Sequence, residues 1–136
     1  MQHWLVKSEP NTYSWDDLVR DGQTYWDGVR NYQARNNLRA MSVGDPVLYY
    51  HSQEGLAVVG VAQVTREAYQ DPSTNDERWS AVNIEPVDKL AQPVSLHDIK
   101  QDKRLQNMAL VKHSRLSVMP VAKKDFDIIV RLGRSK

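Results

Sequence analysis

Short apolar runs separated by turn residues dominate the hydrophobic pattern of this chain. Runs such as HWLVK and VLYYHS are rich in β-branched and aromatic residues and are bounded by Gly, Pro, Asp and Ser, which is typical of β-strands. The longest run contains Gly60, which predicts a bulge or bend of the kind that a closing sheet needs. The pattern predicts strands over residues 3–7, 47–52, 56–69, 78–87 and 115–121.

Helix start and stop signals lie between these strands. Ser14 and Asp17 have the spacing of a capping box, and Phe126, Ile129 and Val130 recur at the spacing of one helix face. The signals predict helices over 15–20, 31–41 and 96–100, a helical or looped stretch over 103–111, and a last helix that ends at Gly133.

The length and composition fit one hydrophobic core. The chain has 136 residues, 40% of them apolar, and a chain of this size buries roughly two-thirds of the surface that its unfolded form exposes. No repeat, low-complexity tract or linker divides it. We therefore expect a single domain over 1–136, of the α+β class, with a strongly bent or barrel-like mixed sheet surrounded by short helices.

The charge balance limits the partners that the chain can attract from a distance. Eighteen basic and seventeen acidic residues leave a formal charge of +1, so any nucleic-acid binding must come from a local site. There is no cysteine and no apolar run approaching about 20 residues, and the N-terminus lacks the pattern of a secretion signal. We expect a cytoplasmic monomer without a membrane partner.

Patterns for catalysis and metal binding are weak. The pairs His51-Ser52 and His113-Ser114 suggest a hydrolase, but adjacent strand residues point to opposite faces, and no nucleophile elbow is present. A pairing across the fold, such as His51 with Ser117, stays open. The four histidines lack chelating spacing, and the six glycines form no phosphate loop. We expect no catalytic residues, no metal and no cofactor.

The segment WDGVRNYQARNNLRAM, residues 26–41, gathers three arginines, three asparagines, a tryptophan and a tyrosine. Guanidinium and amide groups are planar, fork-like groups suited to bases, phosphates or backbone carbonyls. Asn31 and Arg35 share one helix face, whereas Arg39 is expected in solvent. Two alternatives remain: a solvated polar face, or a structural role in which Arg35 and Asn36 tie strand ends together by bonding backbone carbonyls.

The tryptophans divide by their surroundings. Trp4 and Trp15 stand beside apolar partners at a strand and a helix start, so we expect both rings in the core. Trp26 lies in a link bounded by Asp27 and Gly28, so we expect its ring at the rim of the fold.

Several motifs, taken together in one order, resemble the EVE domain family. They are WLVKSEP, YSWDDL, YWDGVRNYQARNNLRAM, GDPVLYYHS, VVGVAQVTREAYQDP and SRLSVMPV, and they cover nearly the whole chain. The resemblance implies a PUA-like fold related to YTH domains, which recognise methylated adenine in RNA through an aromatic cage. It also implies that the chain binds nucleic acid carrying a modified base, with DNA and RNA both open.

The resemblance to YTH domains nominates site residues. It implies that Lys7 and Ser8 lie at the edge of a base pocket, that Trp26 and Trp79 are its aromatic residues, and that Asn31 lies near the base edge. We add polar groups to this pocket from His51, Ser52 and Ser117, and groups that hold a flanking phosphate or brace the pocket from Arg30, Arg35, Asn36 and Arg115.

Three other classes of function remain open at this stage. The first is a small-molecule or free-nucleotide sensor that uses the same pocket. The second is an enzyme acting on the modified nucleotide, with His51 as base and Glu9 or Asp27 as acid. The third is a protein-interaction module, for which the sequence shows no large apolar patch.

Overall fold

One mixed β-sheet organises the computed structural model, which describes residues 1–113 and 115–134. Its six strands are β1 (His3–Ser8), β2 (Thr24–Trp26), β3 (Pro46–His51), β4 (Ala57–Gln70), β5 (Ser80–Ser95) and β6 (Val118–Val121). Across the sheet their order is β2, β5, β4, β3, β1, β6. β1 lies parallel to β3 and antiparallel to β6, and the remaining pairs are antiparallel.

Short helices pack around this sheet. They are α1 (Trp15–Asp21), α2 (Tyr32–Ala40), α3 (Leu96–Gln101), α4 (Ala109–Lys112) and α5 (Lys123–Arg134), with a 3₁₀ turn over Lys103–Leu105. α2 packs across β4, β5 and β6, and α5 packs on β5. Helix α1 has the predicted capping box at its start, and Gly22 ends it with a left-handed φ of 76°.

The predicted fold class is confirmed, with one refinement. The protein is α+β and PUA-like, and the mixed sheet is curled without closing, because β2 and β6 remain edge strands. The long β4 and β5 strands change register several times, including between Val58 and Gly60. Each shift bends the ladder, so the predicted bulge at Gly60 is confirmed and the curl follows from such irregularities.

Several elements differ from the prediction. Strand β2 was not predicted, because a run of three residues carries no periodicity. β5 continues to Ser95 through Pro86, which lies opposite Ala62 at a register shift where a missing N–H is tolerated. The last strand begins at Val118, not at residue 115.

The last helix also runs through Gly133 instead of ending there. A Cβ at this position would lie 2.7 Å from Leu90 Cδ1 on β5, so the glycine allows a close approach of helix and sheet.

Aromatic rings fill the centre of the core. Trp4 and Trp15 are buried, as predicted, and Tyr49 on β3 is fully buried. The Tyr49 ring makes T-shaped contacts with Trp15 and with Trp26, at centroid distances of 5.6 and 5.5 Å. The phenol oxygen of Tyr49 donates to the carbonyl of Tyr13 at 2.9 Å, so its polar end is satisfied inside the fold. Tyr49 therefore connects the core to the edge strand that carries Trp26.

Candidate functional site

A cavity of about 600 Å³ opens where β1 ends beside the edge strand β2. Its volume lies within the range of small-ligand sites, roughly 300–1,000 Å³. Side chains and backbone from four segments line it: Lys7, Ser8, Glu9, Thr12, Tyr13, Thr24, Tyr25, Trp26, Asp27, Gly28, Val29, Arg30 and Ser117. We refer to it as the Trp26 cavity.

Trp26 forms an aromatic wall of this cavity. Its side chain is half-buried, and β2 fixes its backbone by pairing Trp26 with Val82 on β5. Because Tyr49 supports the indole from the core, the ring is held in place while part of it remains exposed to the cavity. The indole therefore lies at the rim of the fold, as the sequence predicted.

Polar groups at the end of β1 form the next part of the wall. Ser8 is buried, and its hydroxyl donates to the carbonyl of Tyr13. The backbone N–H of Lys7 donates to the carbonyl of Ser117 at 2.9 Å, which joins β1 to the residue before β6. Burial lowers the pKa of the Lys7 ammonium, whose Nζ lies 5.8 Å from the centre of the Tyr50 ring.

The loop after Trp26 is held by a buried carboxylate. Asp71 Oδ2 accepts from Gly28 N at 2.8 Å and from Arg30 Nη1 at 2.9 Å. Asp71 Oδ1 accepts from the amide and hydroxyl of Ser73. Burial alone would raise the pKa of Asp71, but the hydrogen bonds from Ser73, Arg30 and Gly28 outweigh it and lower the pKa to about 2.

Asp27 is a cavity residue that the sequence nominated only as an acid in the enzyme alternative. It lines the Trp26 cavity together with the indole. Burial raises the pKa of its carboxyl, and the nearby negative charge of Asp71 raises it further. A carboxylate in this position accepts hydrogen bonds, which suits the amino group of a cytosine or adenine.

A groove of about 700 Å³ adjoins the cavity on the other side of Lys7. The two share Lys7, Glu9 and Ser117. Ser52 and Arg115 line the groove but not the Trp26 cavity, so the structure places these two nominated residues next to the Trp26 cavity, not inside it.

His51 lies away from the cavity. Its Nε2 accepts a hydrogen bond from the backbone N–H of Trp15 at 3.1 Å, and its ring lines a separate, mostly apolar cavity with Trp15 and Leu90. Burial lowers its pKa, so the neutral ring is favoured. Glu9 and Asp27 line the Trp26 cavity without His51, so the structure separates the base and acid of the enzyme alternative.

Asn31 caps the start of α2. Its Oδ1 accepts from Ala34 N at 2.9 Å as the helix cap, and the residue lines a third, smaller hollow with His113 and Arg115. Its backbone carbonyl accepts from Arg35 N at 2.9 Å, so Asn31 lies one turn before Arg35. Ser114, the partner in the second predicted His-Ser pair, lies outside the described residues.

The remaining nominated residues lie on the surface beyond Arg30. The Trp79 ring stacks on Tyr32, with centroids 5.1 Å apart, and does not line the Trp26 cavity. Asn36 Oδ1 accepts from Nε and Nη2 of Arg35, whose Nη1 donates to the carbonyl of Arg78 at 3.1 Å. Arg35 thus binds a backbone carbonyl, as the structural alternative proposed.

Arg39 is exposed, as predicted, but its guanidinium also makes hydrogen bonds within the fold. Its Nε donates to Ser80 Oγ at 3.0 Å, and its Nη2 donates to the carbonyls of Glu77 and Arg78. Arg39 therefore fastens α2 to the connection between β4 and β5.

Residues 1–113 and 115–134 contain neither a cluster of metal-binding side chains nor a membrane-spanning helix. No group of three or more histidine and carboxylate side chains in these ranges is arranged to hold a metal ion. No helix there is long and apolar enough to cross a membrane.

The curled mixed sheet with its surrounding short helices defines a PUA-like domain. The EVE domain model matches residues 2–132, so the chain belongs to the EVE domain family, as its motifs indicated. Among curated relatives, human thymocyte nuclear protein 1 is 33% identical over 164 aligned residues, which cover 96% of this chain and 73% of the human protein. That alignment is longer than the 136 residues of the chain, so the human protein carries insertions relative to it.

Solved structures extend the comparison. Protein Atu2648 from Agrobacterium tumefaciens is similar with a TM-score of 0.96 and 44% identity, covering 98% of this chain and 93% of that one. Human THYN1 protein in complex with 5-methylcytosine containing DNA is similar with a TM-score of 0.93 and 32% identity, covering 100% of this chain and 99% of that one. The YTH domain of Zygosaccharomyces rouxii MRB1, in complex with N6-methyladenosine RNA, has a TM-score of 0.64 and 16% identity, covering 98% of this chain and 87% of that one. At this identity the similarity supports the fold alone.

Proposed function

We propose that this protein is a nucleic-acid reader that takes one modified, methylated base into the Trp26 cavity. The observation that carries the proposal is the half-buried indole on the wall of a base-sized hollow, next to fixed hydrogen-bonding groups. The human relative that is 32% identical over the whole chain, solved in complex with 5-methylcytosine containing DNA, supports it. We infer a binding protein and not an enzyme, because His51 is committed to the Trp15 amide away from Asp27.

The energy of such binding comes mainly from the aromatic wall. Stacking of one base on an aromatic side chain contributes roughly 1–3 kcal/mol. A methyl group that leaves water for an apolar slot adds about 0.8 kcal/mol, so discrimination between a methylated base and its parent is modest, at about fourfold. The Trp26 indole is the group placed to supply both terms.

Specific contacts to the base edge come from the polar groups around the indole. In our proposal the Asp27 carboxylate accepts from the exocyclic amino group of the base, and Lys7 and Ser117 contact the remaining edge. Ser8 shapes the wall, because its proton is already donated to Tyr13. His51 is left out of this set, since its Nε2 is occupied and it lines another cavity.

The flanking strand lies along the adjoining groove. Arg115 and Ser52 line this groove together with Lys100, which gives it positive charge without raising the charge of the whole protein above +1. Arg30 braces the cavity through Asp71 and is not free to move with the ligand. Binding to unmodified strands is then weak and only mildly dependent on salt.

A hollow of this size accepts one base out of the stack, so the target is single-stranded or extruded from a duplex. The human relative was solved with DNA and is named a nuclear protein. For this chain we keep both DNA and RNA as candidates, and a cytoplasmic location and a monomeric state stay predictions.

Fluorescence anisotropy with short single-stranded oligonucleotides tests this function. Each probe carries one central cytosine, 5-methylcytosine, adenine or N6-methyladenine, as DNA and as RNA. We expect tighter binding to one methylated base than to its parent, a loss of about tenfold in affinity for that probe in Trp26→Ala, and partial recovery in Trp26→Phe. Circular dichroism confirms that each variant is folded.

Two controls complete the test. The free methylated nucleoside distinguishes a reader from a small-molecule sensor, because a sensor binds the nucleoside as tightly as the oligonucleotide. Equal affinity of the wild-type protein for every probe, or no effect of Trp26→Ala on any of them, would contradict the proposed function.

A further inference from the structure

Five planar side chains form a surface cluster next to the Trp26 cavity. The Tyr32 and Trp79 rings stack 5.1 Å apart with an angle of 28° between their planes. The guanidinium of Arg35 lies 4.9 Å from the centre of the Tyr32 ring, and those of Arg30 and Arg78 lie 5.5 and 5.9 Å from the Trp79 ring. We call these five residues the arginine–aromatic ladder.

Hydrogen bonds join the side chains of the ladder although it lies at the surface. Arg78 Nη1 donates to the Tyr32 hydroxyl at 3.3 Å, and Arg35 Nη1 donates to the carbonyl of Arg78 at 3.1 Å. The Asn36 amide fixes the Arg35 guanidinium from the other side. Tyr32 nevertheless remains 51% exposed, so its side chain can contact a bound strand although Trp79 and Arg35 lie against its ring.

Arg30 connects the ladder to the cavity. Its side chain lines the Trp26 cavity, and its guanidinium lies against Trp79. The ion pair between Asp71 and Arg30 holds the Arg30 guanidinium in this position. The ladder is therefore continuous with the wall of the proposed base site.

The charges of the ladder are only partly neutralised. Arg30 pairs with Asp71, and Arg78 pairs with Asp76 at 2.6 Å. No carboxylate of residues 1–113 or 115–134 forms an ion pair with Arg35. A surface that combines exposed aromatic area with positive charge is typical of sites for unpaired nucleotides.

We propose that the arginine–aromatic ladder binds the unpaired nucleotide next to the base in the Trp26 cavity. The neighbouring base stacks on the exposed part of Tyr32 and the adjacent Arg35 guanidinium, and its phosphate contacts Arg35 and Arg78. This inference rests on the proposed function, but it concerns affinity for the strand and not the choice of base. Residues 26–41 would then have two roles, forming part of the cavity wall and binding the neighbouring nucleotide.

Substitution of Tyr32 tests the stacking. The probes are a short single-stranded DNA with one central cytosine, the same strand with 5-methylcytosine, and the free 5-methylcytidine nucleoside. We expect Tyr32→Ala to weaken binding of both strands about tenfold, with the ratio between them and the affinity for the nucleoside unchanged. Tyr32→Phe keeps the ring and should stay within about twofold of the wild-type affinity.

Substitution of Arg78 tests the phosphate contact with a closely matched control. Arg78 and Arg104 form the same local pair, each binding the aspartate two residues before it through its amide, Nε and Nη2. The two side chains are similarly exposed, at 63% and 55%, but only Arg78 belongs to the ladder. We expect Arg78→Ala to weaken strand binding several-fold and to lower the slope of log affinity against log salt by about 0.7, and Arg104→Ala to do neither.

The results separate this inference from the proposed function. The inference is overturned if Tyr32→Ala binds the strands as the wild type does, if Tyr32→Phe loses as much affinity as Tyr32→Ala, or if Arg78→Ala and Arg104→Ala behave alike. A wild-type protein that binds strands without preferring any methylated base contradicts the proposed function. In that case the effect of the Tyr32 and Arg78 substitutions on affinity for the unmodified strand still tests the ladder. A wild-type protein that binds no strand overturns both.

Discussion

Arg30 is held against the wall of the Trp26 cavity by Asp71, whose Oδ2 accepts from Arg30 Nη1 at 2.9 Å. The Asp71 side chain is completely buried, whereas the Arg30 side chain is 41% exposed. The carboxylate also accepts from the Gly28 amide, so one residue from the connection after β4 sets the shape of the loop after Trp26. The geometry of the cavity thus depends on a contact between segments more than forty residues apart.

Asp71→Ala should destabilise the protein. The substitution leaves the Gly28 and Ser73 donors without their acceptor, which we expect to lower the free energy of unfolding by about 2–3 kcal/mol. Urea denaturation measures the change. Asp88→Ala is the control, because its ion pair with Arg134 is exposed and 3.7 Å long, and it should change stability by no more than about 0.5 kcal/mol. Equal effects of the two substitutions would contradict the role given to Asp71.

Low pH should remove the stability that the Asp71 carboxylate contributes. Folding lowers the pKa of Asp71 to about 2, so it favours the ionised form. The resulting stabilisation is complete above the unfolded value of about 4 and is lost as the pH falls through the folded value. Thermal unfolding measured across this window should therefore show a shallower decline for Asp71→Asn than for the wild type. A remaining decline is expected from other carboxylates such as Asp76, whose pKa is also lowered to about 2. Identical slopes would rule out the contribution of Asp71.

Two glycines should respond differently to alanine. At Gly60 an added Cβ would lie 2.6 Å from ring carbons of Trp15, which is buried and rigid, so we expect Gly60→Ala to cost about 1–3 kcal/mol. At Gly133 the new Cβ meets the flexible end of Leu90, and the helix gains about 1 kcal/mol in propensity. Gly133→Ala should therefore cost much less. Calorimetric melting of both variants checks the order, and the reverse order would show that Trp15 yields more easily than Leu90.

Binding should weaken in mild acid if Asp27 accepts a hydrogen bond from the base. Burial raises the pKa of Asp27 above its ordinary value of about 3.8, so its carboxylate is protonated at a higher pH than that of an exposed aspartate. Affinity for the preferred strand should fall as the pH decreases through that raised value. Asp27→Asn cannot titrate and keeps an acceptor oxygen, so its affinity should lose this decline. Titrating the same strand against both proteins removes the protonation of the base from the comparison, and parallel curves would argue against Asp27.

The sequence predicted most of the elements because their signals are local. The capping box at Ser14 and Asp17 and the bulge at Gly60 are read from neighbouring residues, and the structure confirms both. Gly133 shows the limit of such signals. A glycine near the end of a helical pattern fits a stop signal, but here it makes room for Leu90 on a distant strand.

The site was predictable only in part, for a related reason. Trp26 was expected at the rim because its loop carries Asp27 and Gly28, and it lines a cavity there. The roles of Asp71 and Tyr32 were not predicted, because the contacts with Arg30 and Trp79 join segments far apart in the chain. His51 is a polar group that the sequence analysis adds to the base pocket implied by the family resemblance, but in the structure its ring lies against Trp15 and lines another cavity.

The central claim is that the methylated base lies against Trp26. Nuclear magnetic resonance with a strand whose 5-methylcytosine carries a ¹³C-labelled methyl group tests it most directly. We predict intermolecular Overhauser contacts between that methyl group and the Trp26 indole, which disappear in Trp26→Phe while contacts to the Asp27 and Ser117 protons remain. Saturated binding in which the methyl group contacts other residues and not the Trp26 indole would contradict the account.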